Sequence, residues 1–325
     1  MGSPFQKAAG YAAYLALRVV IAVVQAAPLW LCERGASALA WLIGDLLGFR
    51  PKLVDENLRT AFPEWSAQQR REAAQRMWRH LFLMVTEIAH TPRKLHRTTW
   101  RNHCKLLGDD RVVSTLLREE PKVIISGHYG NFELGGYLLG LFGFPTYTIA
   151  RPIDNPHVDR YVNAFRGRTG QRILPKAGSR DEVERVLGQG GILTLLGDQH
   201  AGPKGCWVDS FGKPASTHKA VSLFTLSYRA PTMVIGVRRA HGPLRYEVSA
   251  VDIVDPGAQA FELGTTPLLT QWFTEGLEQV IRSDPTQYWW VHRRWKGEPP
   301  ARRKKPRPTP PAEAAHEDAP ARKAG

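Results

Sequence analysis

The chain has 325 residues, enough for a substantial buried core in one or two domains. Its net charge of +14 and isoelectric point near 9.9 direct it toward anionic partners: nucleic acid, phospholipid headgroups or a phosphorylated substrate. Its three cysteines, Cys32, Cys104 and Cys206, lie far apart with no CxxC, so they support neither a zinc site nor a disulfide framework and read as reduced, buried thiols on the cytosolic side.

In chain order, Ala8 to about Trp30 is mostly apolar, close to the roughly 20 residues that cross a bilayer. Lys7 precedes the run and no clear A-x-A cleavage site follows, which favours a retained membrane anchor over a removed signal peptide. Arg18 and Gln25 interrupt it, so a spanning helix and a helix lying in the interface, with Arg18 reaching the headgroups, both fit. A second apolar run, Ala36 to Phe49, carries Asp45 and is too short to span. Ten tryptophans beside many arginines suit a membrane interface, and also single-stranded nucleic acid.

Val54 to Phe62 reads as a short helix ended by Pro63. Ser66 with Gln69 forms a capping-box pattern that opens a long helix toward His90, with Met77, Leu81, Val85 and Ile88 at helical spacing. From Val123 onward strands and helices alternate. The strands are expected at Val123–Ile125, Thr146–Ala150, Gln171–Leu174, Ile192–Leu196, Thr232–Val237 and Tyr246–Ala250. Helices are expected near Asn131–Leu141, His157–Arg168, Ser179–Leu187 (with Ser179 and Glu182 as a capping box), Ser216–Tyr228 and Gly264–Ser283. This alternation predicts an α/β fold: a mostly parallel central sheet flanked by helices, with an N-terminal membrane-associated helix and functional groups at strand ends. After Lys296 the composition turns to Arg, Lys, Pro and Ala with almost nothing to bury. Three regions follow: residues 1–50, a membrane anchor and interfacial helices; 51–297, the catalytic domain; 298–325, a disordered basic tail.

The densest chemistry lies in Lys122-Val-Ile-Ile-Ser-Gly-His128-Tyr-Gly-Asn131-Phe-Glu133-Leu-Gly-Gly136. A buried strand stops at Ser126-Gly127 and a helix begins after Asn131, a good N-cap, which places His128 in a strand-to-helix turn. The turn lets Glu133 curl onto the imidazole, where a carboxylate fixes the tautomer and stabilises the imidazolium of a general base. Taken alone, the residues fit a structural core histidine equally well. The turn matches neither GxxxxGK[ST] nor a complete GxGxxG.

Four further clusters stand out. Arg151, Asn155-Pro156, Asp159, Arg160, Arg166 and Arg168 gather guanidinium forks suited to phosphate or carboxylate, or to a solvated basic face. Asp198-Gln199-His200 follows an apolar strand directly, at a functional strand end or a capped turn. Val208 to Thr217 reads as a loop into a helix capped by Ser216 or Thr217. Gln287 to Lys296 alternates aromatics with cations, suiting lipid headgroups or packing back onto the domain.

The chain resembles the late acyltransferases of lipid A biosynthesis, the Kdo2-lipid IVA acyltransferase family within the glycerolipid acyltransferase superfamily. Gly127-His-Tyr-Gly-Asn-Phe-Glu133 matches the HX4(D/E) motif. The likeness continues through Asn57–Pro63, Arg151-Pro, Asn155-Pro156, Arg166, Asp198-Gln199, Phe211-Gly212, Ala215–Thr217 and Trp290–Lys296. It implies His128 and Glu133 as the catalytic pair, with Arg166, Asp198, Arg168, Asn131 and Gln199 as substrate-binding residues. It implies an anionic membrane glycolipid as acceptor, and a thioester of acyl carrier protein or coenzyme A as donor and co-substrate. It also implies no metal, no other cofactor, no nucleic acid, and an inner-membrane location with the catalytic domain facing the cytoplasm. The segment after Asp198-Gln199 lacks the longer basic insert of some lipid A members; the compact form occurs in relatives that acylate other glycolipids, such as phosphatidylinositol mannosides. Rival readings are a non-catalytic binder of anionic membrane or nucleic acid, and a hydrolase using His128 on water. The chain has no GxSxG elbow for a covalent serine mechanism.

Overall fold

The computed structural model describes residues 3–108 and 110–300; most of the tail expected to be disordered lies outside them. Two helices, α1 (Pro4–Ala26) and α2 (Leu29–Ala40), run into a π-helical turn at Trp41–Leu46. The helices α3 (Pro51–Ala61) and α4 (Ala67–Lys94) lead into the sheet region. It comprises β1 (Cys104–Leu107), α5 (Asp110–Leu117), β2 (Lys122–Ser126), α6 (Glu133–Leu141), β3 (Thr146–Ala150), α7 (Pro156–Arg166), β4 (Arg172–Pro175), α8 (Arg180–Gly188) and β5 (Ile192–Leu196). After these come β6 (Cys206–Ser210), β7 (Lys213–Thr217), α9 (Ala220–Ser227), β8 (Thr232–Arg239), β9 (Tyr246–Val254) and α10 (Thr266–Ser283).

Seven strands form one sheet in the order β1-β9-β8-β2-β5-β3-β4. The run from β8 to β4 is parallel throughout, and β9 joins it antiparallel, with β1 parallel to β9. The α/β expectation holds. A central parallel strand needs apolar side chains on both faces, and β2 supplies them: Val123, Ile124 and Ile125 are all buried. Val123 and Ile125 face Leu58, Met77, Phe273 and Leu277 of the helices on one side. Ile124 faces Leu139 and Leu116 on the other.

The Ser66–Gln69 capping box is present and opens α4. Other local expectations are corrected. Ser179 stands at the N-cap of α8 without a side-chain bond to it. Val208 to Thr217 is not a loop into a helix but the hairpin β6–β7, closed by Phe211-Gly212 with both residues at positive φ, 52° and 74°. A two-residue turn of that kind matches the strands' twist; Lys-Pro-Ala-Ser-Thr carries no apolar alternation to announce it. The helix after it starts at Ala220, without a side-chain cap.

The aromatic and cationic stretch near the end packs back onto the domain. Trp290 is buried, and Asn57 of α3 donates to the Trp290 and His292 carbonyls at 2.7 and 2.8 Å. Arg294, also buried, donates to the Ser216 carbonyl and to Thr217 Oγ1 of the hairpin. Arg293 stays exposed. Replacing Asn57 by Leu strands two buried carbonyls, a loss of about 2–3 kcal/mol. Thermal unfolding should show a midpoint several degrees lower, with the helix content of the folded state unchanged.

Candidate active site

Parallel register sets Ser126 of β2 beside Leu196 of β5, so the segments leaving their carboxyl ends, Gly127-His128 and Gly197-Asp198, emerge side by side. Within this sheet, the strand that follows β2 in the chain, β3, lies to one side of the pair and the strand that follows β5, β8, to the other, the arrangement that opens a crevice at strand ends. There the Asp198 carboxylate takes the His128 backbone N–H at 2.8 Å on one oxygen and the imidazole Nδ1–H at 2.9 Å on the other. Donation from Nδ1 leaves the lone pair on Nε2, which faces the Gln199 side-chain amide at 3.2 Å. The rings of Phe132 and Trp289 stand beside the imidazole, at 5.0 and 5.2 Å between centroids.

Burial alone would push the imidazole pKa down. The charge and hydrogen bond of Asp198, with the more distant Glu133 charge, outweigh it and hold His128 above its ordinary 6.5. Asp198 is only 3% exposed; burial would raise its pKa, but the imidazole overcomes this and holds the carboxyl well below the usual carboxylate range.

The sequence expectation gave the orienting carboxylate to Glu133. The structure gives that place to Asp198. Glu133, in the first turn of α6, faces α7 and takes a two-pronged bond from Arg166, at 2.9 and 2.6 Å. Arg166 lines the cavity with its fork held on Glu133. Asp198 lies behind the imidazole, away from the cavity lining. Asn131 is not the cap: it is fully buried, its amide donates to Glu87 and to the Tyr246 hydroxyl, and Phe132 holds the N-cap position. Gln199 and Arg168 line the cavity with Arg166, and Asp198 and Asn131 do not.

That cavity, of about 1240 Å³, begins at His128, Glu133 and Gln199 and is walled mainly by apolar groups. Its inner end reaches Ile124, Leu139 and Ile235, beside Gly135 and Gly136. Its outer wall comes from Leu17, Val20, Ile21 and Val24 of α1 and from Met84 and Ile88 of α4. Arg93, Arg151, Arg168 and Lys176 stand at the rim. The α1 residues were not anticipated as part of the site, and Trp289 was read only within a stretch suited to headgroups or to packing on the domain. Among the described residues no cluster of three His, Cys, Asp or Glu groups could hold a metal ion.

A buried His–Asp pair at the carboxyl ends of a parallel sheet, opening on a long apolar cavity, suits an enzyme that activates a hydroxyl beside an alkyl chain. The chain belongs to the bacterial lipid A biosynthesis acyltransferase family, whose model matches residues 3–297; it is an acyltransferase. It is 25% identical over 256 residues to the lipid A biosynthesis lauroyltransferase of Escherichia coli K12, covering 77% of this chain and 80% of that one. It is 23% identical over 261 residues to the palmitoleoyltransferase of the same organism, with the same coverage. The crystal structure of the 1-acyl-sn-glycerophosphate acyltransferase of Thermotoga maritima aligns with 81% of this chain and all of that one, at 10% identity and a TM-score of 0.38.

A base must be neutral to accept a proton, so with His128 in that role kcat/KM would rise with pH through an apparent pKa above 6.5. In Asp198→Asn burial acts without the carboxylate, so the acid limb should move to lower pH. Loss of the orienting anion should cut the rate about 10³- to 10⁴-fold. Both effects are read from pH–rate profiles of the two proteins.

Proposed function

We propose that this acyltransferase moves a fatty acyl chain from a thioester, carried by acyl carrier protein or coenzyme A, to a hydroxyl of a lipid A precursor or related membrane glycolipid, with His128 as general base. The observation that carries the reading is the Nε2 lone pair of His128, fixed by Asp198 from behind and aimed at the head of the apolar cavity. An acceptor hydroxyl displaces the Gln199 amide from Nε2. Its oxygen attacks the thioester carbonyl while its proton passes to Nε2, and Asp198 remains ionised against the imidazolium.

The tetrahedral oxyanion needs donors. The N–H groups of His128, Gly130 and Asn131 are committed to Asp198, the Gln287 carbonyl and the Val237 carbonyl. Of the remaining N–H groups of the turn, those of Phe132 and Glu133 stand at the amino end of α6, where the helix dipole also favours negative charge. As the intermediate collapses, the C–S bond breaks and the imidazolium returns the proton to the departing thiolate. The rim cations Arg93, Arg151, Arg168 and Lys176 meet the anionic headgroup.

Membrane attachment falls to residues 1–50, and catalysis to 51–297. Of the described helices α1 alone is long and apolar enough to cross a bilayer, and none of its side chains is buried. It nevertheless lies along the domain: Asn155 donates to the Gly10 carbonyl at 2.8 Å, and Tyr11 and Tyr14 pack on His157. We place the domain on the cytoplasmic face of the inner membrane, where thioester donors are made.

His128→Ala, assayed with both thioester donors and a lipid A precursor, should lower transfer by about 10²- to 10⁴-fold. Transfer at the wild-type rate would overturn the assignment.

A further inference from the structure

Behind the catalytic turn lies a buried polar assembly that the proposed reaction does not consume. Glu87 of α4 has no exposed surface, and its carboxylate takes two bonds from the Arg239 guanidinium at 2.6 Å each. Arg239 Nη1 donates to His80 Nδ1 at 2.7 Å, which fixes the tautomer and lets Nε2–H donate to the Gly130 carbonyl at 3.2 Å. His80 stays neutral, since burial and the Arg239 charge hold its pKa well below 6.5. Glu87 reaches the turn by a second route, through Asn131 Nδ2 at 3.3 Å.

The other side of the turn is tied to the same arginine. The Arg239 N–H and carbonyl pair with the Gln287 side chain, each at 2.8 Å, and the Gln287 carbonyl accepts the Gly130 N–H at 2.9 Å. Both polar groups of Gly130 thus answer to Arg239. This residue has φ of +55°, and a Cβ on it would stand 1.8 Å from the Val237 carbonyl oxygen. Only glycine fits, and a glycine peptide rotates freely unless its N–H and carbonyl are both held.

A buried ion pair returns little net stability, because desolvation offsets the Coulomb attraction. What this one supplies is direction. We infer that Glu87, Arg239 and His80 are positioning residues that clamp the turn after Tyr129 and so aim His128 Nε2 into the cavity. The inference rests on the role proposed for His128. The charged and titratable groups facing that imidazole are Asp198 from the end of β5, Glu133 from α6 and His292 from the segment after α10. None of the three belongs to the clamp, so loosening the clamp acts on them only by moving the imidazole.

The test compares His80→Leu, which loses the bond to Gly130, with His80→Gln, whose amide can restore a donor there. In His80→Leu, kcat should fall roughly 10- to 100-fold, the scale of an ångström of misplacement, with KM for donor and acceptor within about 2-fold. The acid limb of kcat should move to lower pH as the imidazole slips from Asp198. His80→Gln should recover both. Wild-type kcat and an unmoved acid limb in His80→Leu would overturn the inference, as would a rate loss with an unmoved acid limb that His80→Gln fails to recover. Should His80→Leu not fold, Asn131→Ser removes the Glu87 route together with the bond to Tyr246 and leaves His80 in place; the same acid-limb shift is expected, and wild-type behaviour there overturns the clamp. His128→Ala in parallel separates the two ideas: if it keeps wild-type transfer, the base assignment fails; if it is inactive while the clamp variants behave as wild type, only the clamp fails.

Discussion

The two bonds between the Asp198 carboxylate and His128 bind the ends of β2 and β5 to each other and set the chemistry at once. One oxygen takes a backbone N–H, so the strand end is placed; the other takes a ring N–H, so the tautomer is placed. Neither would hold without the parallel register that sets Ser126 beside Leu196. A single buried carboxylate thereby converts sheet topology into a fixed imidazole that faces an apolar space.

The α/β class and the main strands were legible because β2, β3 and β5 are short apolar runs between glycines and polar turns, which tertiary context does not override. His128 was legible for the same reason, as a polar residue where such a run ends. The partner of His128 was not. Sequence proximity pointed to Glu133, five positions on, while the bond is made by Asp198, seventy positions away. Only strand order brings β5 beside β2, and strand order is not written in local spacing. The hairpin β6–β7 escaped because its second strand is Lys-Pro-Ala-Ser-Thr, and a tight turn with two positive φ angles leaves little trace when its first residue is Phe211.

The long helix α4 shows how one element serves two environments. Met84 and Ile88 face the cavity, while His80 and Glu87 face the polar assembly behind the catalytic turn. In the sequence only the apolar stripe is visible, because helical periodicity reports which residues are greasy. A charged residue at full burial breaks that pattern, and its partners lie on β8 and in the turn, far along the chain.

The wall that α1 contributes to the cavity bears on how a hydrophobic chain travels. Each methylene moved into water costs about 0.8 kcal/mol, so a ten-methylene chain exposed in transit would cost about 8 kcal/mol. Leu17, Val20, Ile21 and Val24 line the cavity from a helix that also exposes Phe5, Leu15, Val19 and Val23. A chain entering or leaving beneath that helix passes these apolar side chains. With α1 seated in a leaflet, the passage between bilayer and active site is a lateral slide rather than an extraction.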